Sequence, residues 1–425
     1  MIQELITYIK DYLNNNLFLV LLGILTFYQT IYLIIGVFSK KITYKNTNIK
    51  KKYAVVIAAR NEEMVIGNLI ESLNQQTYDK SYFQVFVVAD NCSDSTASVA
   101  RSHGAIVYER FNESKKRKGW ALEYLFEQIK KDYGILSFDG YIFFDADNLV
   151  DKNFIYEMNK AFVEKGNIVT GYRNVKNFDT NFVSSAYGIH FYRSIVAYHR
   201  PRGKLGVGTH IAGTGYVIDS KLVENGWSFH GLTEDTELTL HYATKGVKIA
   251  FCEDAVFFDE QPTDLITAFR QRRRWVKGRL DAFLKYFPSI IWNGIKRFSF
   301  TLYDMFFYAF PWPFYSLIKF IILPIVLAII ASNFLTGAFW LDFLIVFLTT
   351  MGGIYLSNFF FGLLVVIKEN KNIHAPTYKK VLAIITYPWF NMITTFIAIG
   401  VLISPNVKWT RIVHDDERKI EDIKK

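Results

Sequence analysis

The fold of this chain is decided by one stretch, YIFFDADN at residues 141–148. Its first four residues are apolar and predict a buried strand, which Asp145 and Asp147 follow at the start of a loop. In an α/β sheet, ligands bind at the carboxyl ends of the strands. Two carboxylates at such an edge suit a hard divalent cation that phosphate oxygens also hold. An Asp-rich turn is the simpler explanation of an isolated pair, so the surrounding sequence has to decide.

Short apolar runs alternate with amphipathic segments on both sides of this stretch, and this alternation predicts an α/β domain with a mostly parallel sheet. Residues 60–63 are predicted to open the first helix of this domain. A longer helix is predicted at residues 120–131. The other strands are predicted at residues 53–59, 83–89 and 105–108.

A second acidic strand end supports a ligand site at the same edge of the sheet. Asp90 ends one predicted strand, as Asp145 ends another. A lone carboxylate after a strand is usually a turn or a helix cap, but two such strand ends within about 60 residues are harder to explain in that way. The basic run at residues 115–118 lies between them in the sequence. Lys118 can neutralise a diphosphate there, although a solvated loop is the simpler explanation.

The second half of the domain carries two more candidate segments. Small residues are dense in the segment 208–215, which lets a backbone approach a ligand closely. Further on, Thr233 is placed to cap a helix whose first turn holds Glu234 and Asp235. Simple capping explains that pattern, and the functional alternative is a general base at the helix N-terminus.

A basic amphipathic helix is predicted over residues 265–287, where apolar residues recur near helical spacing and arginines crowd beside them. Such a helix lies in the membrane interface. Gln271, Arg274 and Trp275 share one face, since positions i, i+3 and i+4 are neighbours on a helix. An amide, a guanidinium and an indole on one face predict the binding of a sugar and a phosphate.

Hydropathy predicts a membrane protein. Residues 17–38 are uncharged and long enough to span a bilayer as an anchor, with no cleavage site of a signal peptide after them. The lysines of residues 40–52 place the N-terminus outside and the following domain in the cytoplasm, by the positive-inside rule. Further spans are predicted at residues 314–335, 344–367 and 381–404.

The number of spans and the charges of the loops conflict. Three C-terminal spans would leave the charged tail outside the cell, and the lysines of residues 368–380 place the last loop inside, with the same result. Either one stretch is re-entrant or interfacial, or residues 302–318, with their Pro311-Trp312-Pro313 break, add a crossing. We favour a cytoplasmic tail.

The composition indicates which kinds of binding partner to expect. The net charge of +10 suits a protein that lies against an anionic leaflet. The sequence shows no motif of a nucleic-acid-binding fold, so no nucleic acid is expected. Cys92 and Cys252 are its only cysteines, and they do not indicate a disulfide framework.

The motifs, taken together and in this order, resemble those of the membrane-bound family 2 glycosyltransferases, the group that contains cellulose, hyaluronan and poly-N-acetylglucosamine synthases. The likeness covers most of the chain and rests on Asn61-Glu62, Asp90, Lys118-Gly119, Asp145-Ala146-Asp147, Thr233-Glu234-Asp235 and residues 271–275. It implies an N-terminal anchor at 1–40, a Rossmann-like GT-A domain at 50–262, amphipathic interfacial helices at 263–300, transmembrane helices at 301–405 and a charged cytoplasmic tail at 406–425.

The resemblance also implies the roles of the site residues. Asp90 and Asp145 would hold the nucleoside and ribose, Asp147 would ligate Mg²⁺ or Mn²⁺, and Asp235 would deprotonate the acceptor. The implied donor site contains Ala58, Asn61, Glu62, Asp90, Lys118, Asp145, Asp147, Gln271 and Arg274. The implied acceptor site contains Gly213, Thr214, Gly215, Glu234 and Trp275. The tail residues Trp409, Thr410 and Arg411 are similar to a gating segment of such synthases.

By this likeness, the expected reaction is an inverting transfer from a UDP-sugar, with UDP-N-acetylglucosamine or UDP-glucose favoured, to a growing β-linked polysaccharide that leaves through the protein's own channel. A metal would neutralise the departing diphosphate, and no protein nucleophile is needed. Small accessory or export subunits would be further partners. One alternative is the transfer of a single sugar to a membrane lipid, either a glycolipid or a polyprenyl phosphate. A non-catalytic transporter is disfavoured, because the metal, base and acceptor positions are intact.

Overall fold

The structure is a computed structural model that describes residues 17–317 and 339–423. Most of the predicted span at residues 314–335 lies outside the described residues. The strands are β1 Tyr53–Ala59, β2 Phe83–Asp90, β3 Ile106–Arg110, β4 Gly140–Asp145, β5 Leu149–Val150, β6 Ile168–Val175, β7 Tyr216–Asp219 and β8 Ile249–Asp259.

The helices follow the strands in the alternation that the sequence predicted. They are α1 Leu17–Thr26, α2 Tyr28–Phe38, α3 Ile66–Asn74, α4 Thr96–Ser102, α5 Lys118–Asp132, α6 Phe154–Lys165, α7 Phe182–Ser194, α8 Arg200–Leu205, α9 Glu234–Thr244, α10 Leu265–Arg297, α11 Phe300–Ala309, α12 Trp312–Leu317, α13 Phe339–Glu369, α14 Thr377–Ile403 and α15 Ile420–Ile423. A π-helical turn, Ile195–His199, joins α7 to α8.

One mixed sheet of eight strands, in the order β3-β2-β1-β4-β7-β6-β8-β5, forms the centre of the domain. Strands β1 to β4 pair in parallel, as the sequence predicted. In the second half, β7 runs antiparallel to both β4 and β6, and β5 runs antiparallel to β8. The sheet is therefore less parallel than expected, and this mixed Rossmann-type arrangement is a GT-A-like fold.

Strand β1 shows how the core is built. Because successive side chains point to opposite faces of a strand, Val55 and Ile57 pack with α3 and α6, whereas Ala54 and Val56 pack with α5. Strands that are covered on both faces carry continuous apolar runs. That is why the sequence located β1, β2 and β4 to within a residue or two.

The segment after β1 differs from its prediction. Residues 60–63 were expected to open a helix, but α3 begins only at Ile66. Asn61 adopts a left-handed conformation with φ of 56°, which a right-handed helix does not admit. The chain makes a turn here, and the turn brings Arg60 and Glu62 to the end of the sheet where the cavity described below opens.

Three helices in the described part of the chain are long and apolar enough to cross a membrane: Leu21–Phe38, Phe347–Glu369 and Thr377–Ile403. They correspond to three of the four predicted spans. The predicted interfacial helix is also present, and α10 extends it to Arg297. At Gly278 this helix passes so close to the α/β domain that a Cβ atom would lie 2.6 Å from the hydroxyl of Thr233.

After α14 the chain returns to the sheet. Arg418 pairs with Asp179 at 3.0 Å, and Ile423 packs on Leu149 and Phe258. At the other end of α14, Lys379 donates to the carbonyl of Asp179. The tail therefore contacts the α/β domain, which supports our preference for a tail on the same side of the membrane as that domain.

Candidate functional site

A cavity of about 680 Å³ opens at the carboxyl ends of β1, β2 and β4. Since β1 pairs in parallel with both β2 and β4, the ends of these strands meet at one edge, and Ala58 lies opposite Asp145. Asp90 and Asp147 line the same cavity. The predicted meeting of two acidic strand ends is confirmed.

Three carboxylates come together at the floor of this cavity. Asp145, Asp147 and Asp259 each offer one oxygen, and these oxygens lie within 4.8 Å of one another. Burial raises the pKa of Asp147 to about 8; His414 opposes the rise, whereas Asp259, Asp145 and Glu260 add to it. Carboxylates crowded in this way fit a hard divalent cation, which removes their mutual repulsion.

Asp259 was missed in the sequence, although it ends β8 in the way that Asp145 ends β4. The same rule of an acidic residue at the end of an apolar strand finds it. Its carboxylate is held by the amide of Asn148, whose Nδ2 donates to Oδ1 at 2.7 Å. Arg173 donates to the other oxygen through Nε at 3.1 Å.

The small-residue segment contributes less to the cavity than the sequence suggested. Gly213 lines it, but Thr214 and Gly215 do not appear among the described lining residues. The Thr214 hydroxyl donates to Asn148 at 2.5 Å and accepts from the Asp145 N–H at 2.9 Å. Gly215, with φ of 67°, would place a Cβ atom 2.0 Å from the Phe257 ring. The assignment of Thr214 and Gly215 to acceptor contact is therefore corrected. Thr214 bonds to Asn148 and Asp145 at the acidic strand end, and Gly215 packs against the Phe257 ring.

Lys118 lies at the centre of the charges in the cavity. Its Nζ is 2.5 Å from Asp145, 3.5 Å from Glu234 and 2.9 Å from the carbonyl of Gly213. Although burial opposes it, the two carboxylates hold the pKa of Lys118 well above its usual value. Lys118 is therefore a permanent cation beside the acidic cluster.

Asp235 and Glu234 begin α9 and line the cavity. Burial raises the pKa of both carboxyls, and Lys118 acts in the opposite direction on each. Thr233 occupies the cap position but makes no capping bond, and its buried hydroxyl has no partner. Simple capping therefore does not explain this motif, because the threonine that would cap the helix faces Gly278 instead.

The face of α10 reaches the cavity as its spacing predicted. Gln271, Arg274 and Trp275 all line it. The Trp275 ring packs edge-on against Tyr187 and Phe191, with centroids 5.8 Å and 6.3 Å away. The side-chain oxygen of Gln271 is buried and has no hydrogen-bond partner. Buried polar atoms are normally paired, so this oxygen is typical of a site that a ligand completes.

The tail crosses the mouth of the cavity. Trp409, Thr410 and Arg411 line it, and the gating role that the resemblance implied for them stays a prediction. The Arg60 guanidinium lies 5.5 Å from the centre of the Trp409 ring. Arg411 donates to the backbone carbonyl of Asn61.

The side chain of Asn61 does not appear among the described lining residues; it bonds to Ser93 at 3.2 Å. Its assignment to direct donor contact is corrected, since it holds the adjoining loop. His414, which the sequence did not suggest, reaches into the site instead. Its Nδ1 lies 3.1 Å from Glu62, and its Nε2 lies 3.9 Å from Asp147.

Residues 51–278 match the sequence profile described as Glycosyltransferase like family 2. Similar proteins include the probable glycosyltransferase YdaM of Bacillus subtilis, 27% identical over 64% of this chain and 66% of its own length. Beta-monoglucosyldiacylglycerol synthase of Trichormus variabilis is 25% identical over 56% of this chain and 51% of its own length. Poly-beta-1,6-N-acetyl-D-glucosamine synthase of Staphylococcus aureus is 23% identical over 66% of this chain and 69% of its own length.

The chain thus covers 66% of the first of these relatives and 51% of the second. Among solved structures, it is similar to the mannosyltransferase PcManGT from Pyrobaculum calidifontis in complex with GDP-Man and Mn²⁺. That likeness has a TM-score of 0.52 and covers 91% of this chain and 98% of the other, with 12% identity. At this identity the likeness shows the fold alone.

Proposed function

Because the chain belongs to the glycosyltransferase-like family 2, we propose that it transfers a sugar from a nucleoside diphosphate sugar to the hydroxyl of a membrane-bound acceptor. One observation carries the proposal. The acidic strand ends, the permanent cation Lys118, the carboxylate of Asp235 and the ring of Trp275 all line a single cavity. These are the groups that an inverting transfer needs.

The donor is proposed to bind across the strand ends. Asp90, at the end of β2, and Asp145, at the end of β4, would hold the nucleoside and ribose. Asp147, with Asp145 and Asp259 beside it, would hold Mg²⁺ or Mn²⁺ on the diphosphate. When bound, this ion supplies positive charge that stabilises the departing nucleoside diphosphate. UDP-N-acetylglucosamine and UDP-glucose are the donors that the family resemblance favours.

The chemical step is proposed to be one in-line displacement. The Asp235 carboxylate takes the proton of the acceptor hydroxyl, whose oxygen forms a bond to C1 of the sugar. The bond from C1 to the diphosphate oxygen breaks, and its electron pair leaves on the nucleoside diphosphate. Lys118, 2.5 Å from Asp145, adds a fixed positive charge beside that leaving group. The raised pKa of Asp235 makes this carboxylate a better proton acceptor than an exposed aspartate.

Two classes of acceptor are considered, a growing polymer and a membrane lipid. The family resemblance favoured a growing β-linked polysaccharide, and one similar protein is a poly-N-acetylglucosamine synthase. Another is a glucosyldiacylglycerol synthase. A specific observation favours the lipid: apolar side chains of α11, α12 and α14 line the cavity, namely Phe307, Trp312, Phe314 and Phe390. We therefore propose transfer to a membrane lipid, with the catalytic domain and tail in the cytoplasm at the plasma membrane, and keep polymer elongation as the alternative.

The proposal is tested with the full-length protein in nanodiscs. UDP-sugars and GDP-mannose are screened for nucleotide release with Mg²⁺ or Mn²⁺, and the product of a radiolabelled donor is analysed by solvent extraction and size. A labelled lipid supports the proposal, and a long polymer supports the alternative. Intact protein that releases no nucleotide from any donor would leave the transferase proposal without support.

We expect Trp275→Ala to lower the amount of sugar transferred per UDP released by about 10-fold or more, because a small misplacement of an acceptor is costly to the rate. Release of UDP by reaction with water needs no acceptor platform and should persist. The matched control is Trp292→Ala, an exposed tryptophan on the same helix. If both ratios stay at the parent value, Trp275 is an interfacial anchor and not an acceptor platform.

A second expectation concerns the tail. Trp409→Ala removes the ring that faces Arg60 and should admit water to the bound donor, since closing segments exclude water from reacting groups. We expect the loss of UDP-sugar to water to rise about 2–10-fold relative to transfer. Val413→Ala, at an exposed tail position, serves as the control. A ratio equal to that of the control would show that the tail does not shield the donor.

A further inference from the structure

The part of the cavity next to the C-terminal helices carries three arginines that form no close ion pair with a carboxylate of the described residues. Arg193, Arg272 and Arg279 line it. Within residues 17–317 and 339–423, none of them has an Asp or Glu oxygen within 4.0 Å. We call these three arginines the basic end. The hydrogen-bond partners of Arg272 and Arg193 are neutral groups, such as the Phe390 carbonyl and the Tyr198 hydroxyl. Charges held in a low-dielectric site gain from a nearby countercharge, so this arrangement indicates an anion that the bound state supplies.

Two other arginines of the same cavity show the contrast. Arg202 binds both oxygens of Asp304, at 2.7 Å and 2.9 Å. Arg173 binds Asp259 through Nε at 3.1 Å. Carboxylates of the fold thus neutralise these two arginines. The basic end lacks this compensation.

The basic end lies between the catalytic domain and the C-terminal helices. Arg193 lies 5.5 Å from the ring of Phe361 on α13. Arg272 donates to the carbonyl of Phe390 on α14 at 2.6 Å. Arg279 lies 5.1 Å from the ring of Tyr308 on α11. Each arginine is thus held by a different helix, and the donor-side cation Lys118 is paired with Asp145 instead.

The pKa of His190 is lowered by burial and by the positive charge of these arginines. Burial lowers the pKa of His190 far below its usual value, and Arg193, Arg272, Arg279 and Arg173 lower it further. The imidazole is therefore neutral and adds no charge of its own. The positive field that acts on it comes from the arginines, in agreement with their shared position in the lining of the cavity.

Apolar side chains adjoin the basic end. The cavity continues past Phe307 and Tyr308 of α11 to the Pro311-Trp312-Pro313-Phe314 segment and to Phe390 of α14. Phe390 lies in α14, which is one of the candidate membrane helices, and α12 contacts α14. A ligand that contacts both regions has an anionic group and an apolar chain, as a membrane lipid does.

We infer that the acceptor is a membrane lipid with a phosphate in its headgroup, bound with the phosphate at Arg193, Arg272 and Arg279, the hydroxyl toward Asp235, and the chain along the apolar side chains of α11, α12 and α14. Guanidinium groups suit phosphate, because their planar donors match its oxygens in pairs. The inference rests on the proposed function, since this is the acceptor side of the same cavity.

The test uses full-length protein in phosphatidylcholine nanodiscs with the donor that the screen identifies. The acceptors compared are phosphatidylglycerol, which has both a phosphate and a hydroxyl, diacylglycerol and soluble glycerol 3-phosphate. We expect sugar on a lipid that carries phosphate and little on diacylglycerol, which has the hydroxyl and the chains but no phosphate. Equal transfer to diacylglycerol would show that the acceptor needs no phosphate and would overturn the inference. Equal transfer to glycerol 3-phosphate would show that the acceptor needs no lipid chain and would also overturn it.

Substitutions of Arg193 and Arg279 test whether the phosphate binds at the basic end. Arg279→Gln and Arg193→Gln should each raise the KM for the phosphate-bearing lipid by about 10-fold or more, whereas UDP release to water and the donor KM stay at the parent values. Arg270→Gln, an exposed position on the same helix, should change neither. A parallel loss of donor hydrolysis or thermal stability in the two variants assigns the arginines to structure and overturns the inference.

Failure of the inference and failure of the proposed function give different results. A parent protein that releases no nucleotide from any donor contradicts the proposed function. A parent that releases nucleotide but glycosylates only neutral acceptors contradicts the inference alone. If no lipid tried is glycosylated, native mass spectrometry decides: phosphatidylglycerol retained by the parent and lost by the Arg193→Gln, Arg279→Gln double variant supports the inference, and equal retention overturns it.

Discussion

Asp235→Asn is expected to lower turnover by about 10²–10⁴-fold while donor affinity stays within a few-fold of the parent value. The reason is that the carboxylate acts on the acceptor proton, and an amide cannot accept it. Asp235 is half-buried and lies next to Gly213, whose ideal Cβ would be 4.0 Å from its Oδ2. The measurements are the rate of lipid glycosylation and, separately, the dissociation constant of UDP from fluorescence or calorimetry.

The control for this substitution is Asp281→Asn, a half-exposed carboxylate on α10 that pairs with Lys277. It changes the same chemical group outside the cavity and should leave both measurements unchanged. A variant of Asp235 that loses UDP binding as severely as turnover would move this residue from the base to the donor site. A variant with nearly normal turnover would indicate an acceptor that attacks without losing a proton, such as an already ionised phosphate oxygen.

The site residues at the ends of β1, β2 and β4 could be predicted from the sequence for a physical reason. Buried parallel strands carry continuous apolar runs, and a carboxylate at the end of such a run stands out. Asp90, Asp145 and Asp147 were found in this way. Asp259 obeys the same rule, because it ends the largely apolar strand β8, so its signal is present in the sequence as well.

Other errors arose because one sequence pattern has two physical causes. A dense run of small residues lets backbone approach a ligand, and it equally lets backbone approach another part of the protein. Gly213 serves the first purpose, since it lines the cavity. Gly215 serves the second, since its neighbour is the Phe257 ring. The sequence contains no information that separates them, because Phe257 is distant along the chain.

His414 could not have been placed from the sequence. Its position beside Glu62 and Asp147 depends on the path of the tail back from α14 to the sheet. That path is fixed by contacts far apart in sequence, such as the pairs of Arg418 with Asp179 and of Lys419 with Glu71. The same return supports the preference for a cytoplasmic tail, for which the predicted spans and the loop charges gave conflicting indications.

The substitution Asp147→Asn is expected to abolish the stabilisation of the protein by Mn²⁺ and UDP together. An amide is a poorer ligand for a hard cation, and it leaves Asp145 and Asp259 to hold the ion alone. A ligand present at 100 times its dissociation constant stabilises a folded protein by about 2.7 kcal/mol. The parent should therefore show a clear rise in melting temperature with Mn²⁺ and UDP, and the variant should show none.

The metal-free proteins provide the contrast that makes this result specific. Burial and the neighbouring carboxylates raise the pKa of Asp147, so replacing it with a neutral amide should not destabilise the metal-free fold. In the parent, a proton competes with the cation for Asp147, and the apparent metal affinity should weaken as the pH falls below about 8. Asp254→Asn, on the same strand as Asp259 but outside the cavity, should behave as the parent does. If the Asp147 variant keeps the full metal-dependent rise in melting temperature, the ion is held elsewhere, and the acidic cluster at the end of β4 is not the metal site.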